Sequence, residues 1–441
     1  MNGMLFKSLK GDPYYYSPHT GRIVKLPYDF SEEQLKPEDI FFRFGYDKDK
    51  IRSKLNNDLE IIILEGSQNC NLRCNYCIFG GDYKGEREHK PFEMDFEVAR
   101  KSVAYFLEHS KNTRPLRAVS FYGGESLLNF SLVKSIVDEF KDSPRTFFSV
   151  STNGLLINKY FEDIISRGIN LAVSLDGDRS IHDKNRLTIG GKPSFDLIMK
   201  GIDKLGESYV RKKLSFSATI TDEEDFIKSY RFFRDNFRKN PTRLEFVKSD
   251  DRLSNTDKRL KIPKDAFAEM LSDYESGIVK GNMPEVLKFI FDDTFLRIHC
   301  RMEEYKGEEL RHSRTCVPGT RKLFVDASGN FYTCEKLGYE HFNIGNVNSG
   351  IDEDRVFKLM DEITKTTNDD CSSCAATPLC NVCIPVSSLK CGNVSSERLK
   401  ERCIERVKSI EKYLGLYADL NERLGDKFQD YLTFNLKGGV K

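Results

Sequence analysis

An α/β fold is predicted for this 441-residue chain from three observations. Between residues 60 and 249, short β-rich runs alternate with helix-length amphipathic segments. A few strand-like runs precede that stretch, and a cysteine-rich, loop-rich region follows it. Strand and helix in alternation imply parallel strands with right-handed crossovers, closed as a barrel or open as a doubly wound sheet. In both, functional groups collect at the carboxyl ends of the strands.

Taken in order, Asp12-Pro13 opens the aromatic run Tyr14-Tyr15-Tyr16. His19-Thr20-Gly21 turns the chain into Arg22-Ile23-Val24, a hairpin signal, and residues 31–44 have helical spacing. Strands are expected at 60–65, 118–122, 146–151, 171–175, 214–220 and 244–247. Between them, Phe96, Ala99, Val103, Phe106 and Leu107 recur on one helical face. Residues 250–264 are polar and read as a loop within a bridging region, 251–299. Leu399, Cys403, Val407, Ile410 and Leu414 mark a late helix reaching to about residue 436. The expected divisions are 1–58, 59–250, 251–299, 300–410 and 411–441.

Composition narrows the partners. The 69 basic and 68 acidic residues leave a net charge of +1, so no basic excess exists to neutralise a nucleic-acid backbone. No apolar run is long enough to cross a bilayer. Residues 1–10 lack an apolar signal-peptide centre, which predicts a cytoplasmic protein. The 12 cysteines form two sets separated by the gap from Cys77 to Cys300. In a reducing compartment such sets are more often metal ligands than disulfides.

The first set is Cys70-Asn71-Leu72-Arg73-Cys74-Asn75-Tyr76-Cys77, directly after the first predicted barrel strand. Three thiolates on one tight loop hold three irons of a cubane and leave the fourth iron open, because a [4Fe–4S] cluster normally takes four cysteines. Structural zinc prefers four closed ligands, and the nearest histidine, His89, lies beyond a glycine-rich stretch. This run, with the aromatic Tyr76 before the third cysteine, resembles the cluster loop of the radical S-adenosylmethionine enzymes. Phe121-Tyr122-Gly123-Gly124-Glu125 looks like that family's Gly-Gly-Glu motif. The run 149–154, with Ser151 and Asn153, looks like its ribose-contacting strand end. Ser174-Leu175-Asp176-Gly177, trailed by His182-Asp183 and Arg186, resembles the next strand end. The resemblance, over residues 60–250, implies a partial (β/α)6 TIM-like barrel. It also implies that S-adenosylmethionine chelates the open iron and is cleaved reductively to a 5′-deoxyadenosyl radical. Tyr76, Gly123, Gly124, Glu125, Ser151, Asn153, Ser174 and Arg186 are its expected contacts, Glu125 taking the amino group.

The second set comprises Cys316, Cys334 at the end of a Gly-x4-Cys run, Cys371-x2-Cys374-x5-Cys380-x2-Cys383 and Cys403. Taken alone, its C-x2-C pairs suit zinc equally well. Following the first set, it resembles the SPASM extension over 316–403, which carries two auxiliary [4Fe–4S] clusters and makes three in all. The Cys380–Cys383 gap is one residue shorter than the common form. By that resemblance Cys371, Cys374, Cys380 and Cys403 hold the distal cluster. Cys316, Cys334 and Cys383 hold the proximal one, whose fourth ligand is Cys300 or a substrate thiolate. Cys391 takes no role.

Such enzymes mostly modify peptides. The N-terminal hairpin looks like the opening of a leader-recognition unit, truncated at about 55 residues, with a hairpin packed on the barrel as the plain alternative. The loop Gly80-Gly81-Asp82-Tyr83 with Arg87 and His89, together with Phe324-Val325-Asp326 leading to Cys334-Glu335-Lys336, is similar to the thioether-forming peptide maturases. That similarity implies a cysteine-containing precursor peptide and a low-potential electron donor such as flavodoxin or ferredoxin. Three rivals stand beside it: an anaerobic sulfatase-maturing enzyme, which carries Asp where Glu335 stands, a carbon–carbon cross-linking peptide maturase, and a non-catalytic zinc or iron–sulfur electron-transfer protein. Glu335 is the one candidate catalytic base, able to take a substrate proton or to pair with Lys336 or an Arg.

Overall fold

The computed structural model describes residues 3–34, 42, 44–77, 79–80, 88–113, 116–247, 260–301, 316–337, 340–383, 389–390, 393–394 and 396–438. Strands β1 (Met4–Lys7), β2 (Pro13–Tyr16) and β3 (Ile23–Lys25) form a small antiparallel sheet. Six parallel strands follow: β4 (Ile61–Ser67), β6 (Arg117–Gly123), β7 (Thr146–Thr152), β8 (Asn170–Ser174), β10 (Leu214–Ile220) and β11 (Thr242–Phe246). They lie in the order β11-β10-β8-β7-β6-β4, as a partial (β/α)6 barrel requires. Two short strands, β5 (Leu72–Cys74) and β9 (Arg186–Thr188), pair beside the first cysteine loop.

The strand sequences decide what each face of this sheet does. Along β10, Leu214, Phe216, Ala218 and Ile220 are buried, while Ser215, Ser217 and Thr219 are half-buried. β7 repeats the pattern, with Phe148, Val150 and Thr152 inside and Ser149 and Ser151 partly open. This period of two gives one apolar face under the helices and one polar face. Register then gathers hydroxyls on the open face. Ser120 lies beside Ser149, their Oγ atoms 2.6 Å apart, and Ser174 beside Ser217.

Several elements differ from the sequence reading or go beyond it. The early helix is Lys48–Asn57, capped by the Asp47 side chain, with Ile51 and Leu55 buried. Of the expected 31–44 helix only the short turn Glu32–Gln34 is seen, and residues 35–41 and 43 lie outside the described residues. The bridging region is largely helical: Lys264–Lys280 and Asp293–His299 bury Met270, Tyr274, Phe291 and Phe295 with their neighbours. Here apolar periodicity outweighs the polar start of the segment.

Beyond Cys300, β12 (Lys322–Val325) pairs in parallel with β4, Phe324 opposite Ile63, and β13 (Asn330–Tyr332), β14 (Asn343–Asn346) and β15 (Gly350–Ile351) extend the sheet antiparallel. The cysteine-rich lobe therefore shares a sheet with the barrel. The late helix Ser396–Leu424 runs unbroken through residue 410. It also carries the N-terminal sheet: Gly415 lies so close to β1 that a Cβ there would sit 2.2 Å from the Lys7 carbonyl oxygen. Glu422 accepts from the Tyr14 hydroxyl and from Lys25 Nζ, the latter at 2.8 Å. With Met4, Phe6, Tyr14 and Tyr16 buried in the main core, the hairpin is packed rather than free-standing. No helix among the described residues is long and apolar enough to cross a membrane.

Candidate active site

The first cysteine loop leaves the carboxyl end of β4 and is folded by its own polar groups. Asn69 Oδ1 accepts from the Cys70 amide at 2.9 Å, Arg73 donates to the carbonyls of Cys70 and Leu72 at 2.7 Å, and the Cys77 amide closes a turn on the Cys74 carbonyl at 3.0 Å. Donors converge on the sulfurs. Cys70 Sγ faces the Leu72 amide at 3.4 Å and Asn153 Nδ2 at 3.7 Å, Cys74 Sγ faces Arg186 at 4.0 Å, and Cys77 Sγ faces His89 at 3.8 Å. Burial pushes the Cys70 thiol up to about 12 and raises Cys74 and Cys77. These thiols therefore hold their protons until a metal displaces them.

Arg186 and Tyr76, expected as cofactor contacts, are organised by Asp176 at the end of β8. Asp176 is fully buried and accepts from Arg186 Nε at 2.9 Å and Nη2 at 3.1 Å, from the Tyr76 hydroxyl, and from the Thr219 amide at 2.9 Å. The guanidinium lies 5.3 Å from the Tyr76 ring centroid, and β5–β9 pairing sets Arg186 opposite Cys74. A cation is thus fixed beside Cys74 of the loop. Asp176 appears in the sequence only as half of an Asp-Gly turn; its role needs the β8, β9 and β10 ends brought together.

The Gly-Gly-Glu segment packs directly against the cysteine loop. A Cβ on Gly123 would meet the Ser67 carbonyl oxygen at 2.4 Å, and one on Gly124 the Asn69 carbonyl oxygen at 2.2 Å. The close approach of the cysteine loop leaves no room for a side chain at either position. Glu125 is wholly buried, accepting from Thr152 Oγ1 at 2.7 Å and from the amides of Asn153 at 2.6 Å and Leu127 at 2.9 Å. Its side chain ties the β6 and β7 ends together, and burial raises its carboxyl above the ordinary range. Asn153 spends its amide on Asn71 Oδ1 at 2.7 Å, so it too braces the loop. Ser151 and Ser174 are half-buried on the open face.

His182, read only as part of a trailing loop, is fully buried. Its Nδ1 accepts the Asp176 amide at 3.3 Å, and its Nε2 faces Ser194 Oγ at 3.0 Å, whose hydroxyl already donates to the Arg186 carbonyl. The proton therefore sits on Nε2 of a neutral ring. Burial, aided by Arg186 and opposed by Asp176 and Asp183, lowers its pKa from 6.5 to about 4. The unfolded chain takes up this proton first, so stability is lost as pH falls from about 6.5 to about 4, by roughly 3 kcal/mol at most. In urea unfolding of the anaerobic protein, His182→Gln is expected to flatten the decline between pH 7 and pH 5. A slope equal to wild type would remove this assignment.

In the second set, burial raises Cys371 to about 12 and Cys403 to about 11. Cys371 feels Cys403, Cys374 and Cys380, and Cys403 feels Cys380 and Cys374. These four thiols share one environment. Cys334, raised to about 12 by burial, feels Glu335 and Cys383 instead, which separates the two predicted groups. Cys316 and Cys300 are exposed, and Cys391 lies outside the described residues, as does the loop 81–87. Glu335 pairs with Lys322 Nζ at 3.2 Å. None of the eleven described cysteines forms a disulfide.

Among the described residues no three His, Cys, Asp or Glu side chains converge closely enough to share one metal ion. The fit to iron–sulfur groups rests instead on the donor chemistry: three loop thiols with amide and guanidinium donors aimed at them, and four further half-buried thiols close enough to act on one another. Both suit thiolate-bound cubanes.

Residues 64–233 match the Radical SAM superfamily. The chain is 26% identical over 349 residues to a cysteine-type anaerobic sulfatase-maturating enzyme of Clostridium novyi, covering 73% of this chain and 86% of that protein. It is 21% identical over 390 residues to the radical SAM cyclopropyl synthase TigE of Paramaledivibacter caminithermalis, covering 82% and 77%. In structure it resembles native anSMEcpe with bound AdoMet and Cp18Cys peptide, with a TM-score of 0.57, 17% identity, and coverage of 80% of this chain and 98% of the other. Residues 64–233 thus carry the radical SAM fold, and the fold over 80% of the chain is like that of anSMEcpe.

Proposed function

We propose, from the radical SAM domain as premise, that the chain is a peptide maturase that installs thioether cross-links between cysteine sulfur and carbon in a ribosomally made precursor. The observation that carries this reading is the juxtaposition of a three-thiol loop, at the mouth of a hydroxyl-lined sheet face, with a second lobe of clustered thiols on the same sheet. When bound, a [4Fe–4S] cluster on Cys70, Cys74 and Cys77 supplies the electron that splits S-adenosylmethionine to the hydrogen-abstracting 5′-deoxyadenosyl radical.

The chain's own residues then have distinct tasks. Arg186, pinned by Asp176, offsets negative charge at the loop. The glycines and Glu125 hold the β6 end against it. Ser151 and Ser174 offer hydroxyls to the cofactor's ribose. Bonding of a peptide thiolate to a carbon radical releases one electron. Cys371, Cys374, Cys380 and Cys403 are assigned to one auxiliary cluster able to take it. Cys316, Cys334 and Cys383 are assigned to the other, with Cys300 or the substrate sulfur completing it. Glu335, beside Cys334, is the proposed acceptor of the substrate thiol's proton. A flavodoxin or ferredoxin is the proposed electron source, and the N-terminal sheet the proposed docking element for the precursor's leader.

Similarity to sulfatase-maturating enzymes over most of their length favours a second reading, oxidation of a cysteine to formylglycine. One assay separates the two. The anaerobic protein is incubated with S-adenosylmethionine, a reductant and a cysteine-containing precursor peptide encoded beside it, and the product is analysed by mass spectrometry. Thioether formation keeps the sulfur, removes two hydrogens and blocks thiol alkylation. Loss of sulfur with gain of a carbonyl would favour the second reading, and an unchanged peptide would count against both.

A further inference from the structure

Arg406 presents a charge without a described partner. Its Nε and Nη2 are both shut off from solvent and make no hydrogen bond. A guanidinium stays protonated in proteins, and charge on atoms cut off from water is disfavoured unless an anion lies beside it. Folding does not keep such a group by accident of shape alone, so something negative is expected beside it.

Its position says what. Arg406 follows Cys403 by three residues on the helix Ser396–Leu424, so the two side chains share one helical face. The groups whose charges act on it are Cys380 and Tyr413. One cysteine of the four-thiol group, Cys380, therefore acts on this cation directly, and a second, Cys403, lies one turn away on the same helical face. As neutral thiols they give it nothing. As thiolates around an oxidised cubane they carry net negative charge, and one further charge on reduction.

We propose that Arg406 is the built-in counter-cation of the cluster held by Cys371, Cys374, Cys380 and Cys403, and that its charge raises the reduction potential so that this cluster takes up the electron released at the substrate. The inference rests on the reading of those four cysteines as cluster ligands. The physical cause is direct: a fixed positive charge in a water-poor setting favours the more negative, reduced state. Net charge and hydrogen bonding are the protein's usual controls over such potentials.

The test uses the full chain, purified anaerobically, as wild type, Arg406→Gln and Arg406→Lys. Gln keeps hydrogen-bond donors but loses the charge, while Lys keeps the charge. Iron and sulfide are counted, and each protein is followed by electron paramagnetic resonance through a redox titration. Equal iron is expected in all three. In Arg406→Gln the reduced-to-oxidised ratio of one cluster at fixed potential is expected to fall about tenfold, equivalent to about 59 mV for a one-electron couple. Arg406→Lys should stay near wild type. A wild-type titration for Arg406→Gln would overturn the proposal, as would equal shifts or equal iron loss in both variants, since packing rather than charge would then be at work. A Cys371→Ala/Cys374→Ala protein with undiminished iron would instead refute the ligand assignment beneath it.

Discussion

Replacing Cys70, Cys74 and Cys77 together by Ala is expected to bring 5′-deoxyadenosine formation to background while about eight of twelve irons remain bound, one cubane of three being lost. The selectivity follows from the separation of the two thiol sets. The loop is anchored by contacts that do not involve sulfur: Arg73 to backbone carbonyls, Asn153 to Asn71, and β5 to β9. Removing three sulfur atoms, only one of them on a fully buried residue, leaves the barrel strands and the second lobe in place. The measurements are chromatographic quantification of 5′-deoxyadenosine with dithionite as reductant, and iron content with spectroscopy of the remaining clusters. Cofactor cleavage at even a tenth of the wild-type rate would place the radical-generating site elsewhere. Loss of all iron would mean that the two sets assemble as one unit.

Much of this site is legible in the sequence because its parts are local. The spacing of Cys70, Cys74 and Cys77 and the strands at 118–122, 146–151 and 214–220 rest on short-range patterns, and the structure places those strands within two residues of expectation. What the sequence hides is long-range. Asp176 organises Tyr76, Arg186 and Thr219 across a span of over a hundred residues. Lys322 reaches Glu335 only because β12 and β13 pair antiparallel, Phe324 opposite Tyr332. The helices of 264–299 were masked by a polar beginning, although Met270, Tyr274 and Leu271 recur at helical spacing within them. Glu125 shows a subtler limit: its motif is readable, but that its carboxylate is consumed by Thr152, Asn153 and Leu127 depends on two strand ends meeting.

Gly124→Ala is expected to be the most damaging single methyl in the protein's chemistry. The added Cβ would lie 2.2 Å from the Asn69 carbonyl oxygen, 2.7 Å from its carbon and 2.9 Å from the Gln68 carbonyl oxygen, all backbone atoms that cannot rotate aside. Asn69 directly precedes Cys70, and the Glu125 amide holds that same carbonyl at 2.8 Å. The loop must therefore retreat by about 1 Å, a misplacement that costs on the order of 10²-fold in rate when it displaces reacting groups. The fold should survive, because overpacking of this kind costs about 1–3 kcal/mol and the β4–β6 ladder up to Tyr122 is untouched. Gly190→Ala is the matched control, since nothing lies within 4 Å of a Cβ there. The expected result is near-normal unfolding in both variants, with 5′-deoxyadenosine formation falling about a hundredfold in Gly124→Ala alone and the signal of its first cluster altered. Wild-type cleavage in Gly124→Ala would show that the loop carries no cluster whose position matters, and the assignment of Cys70, Cys74 and Cys77 would lose its structural basis.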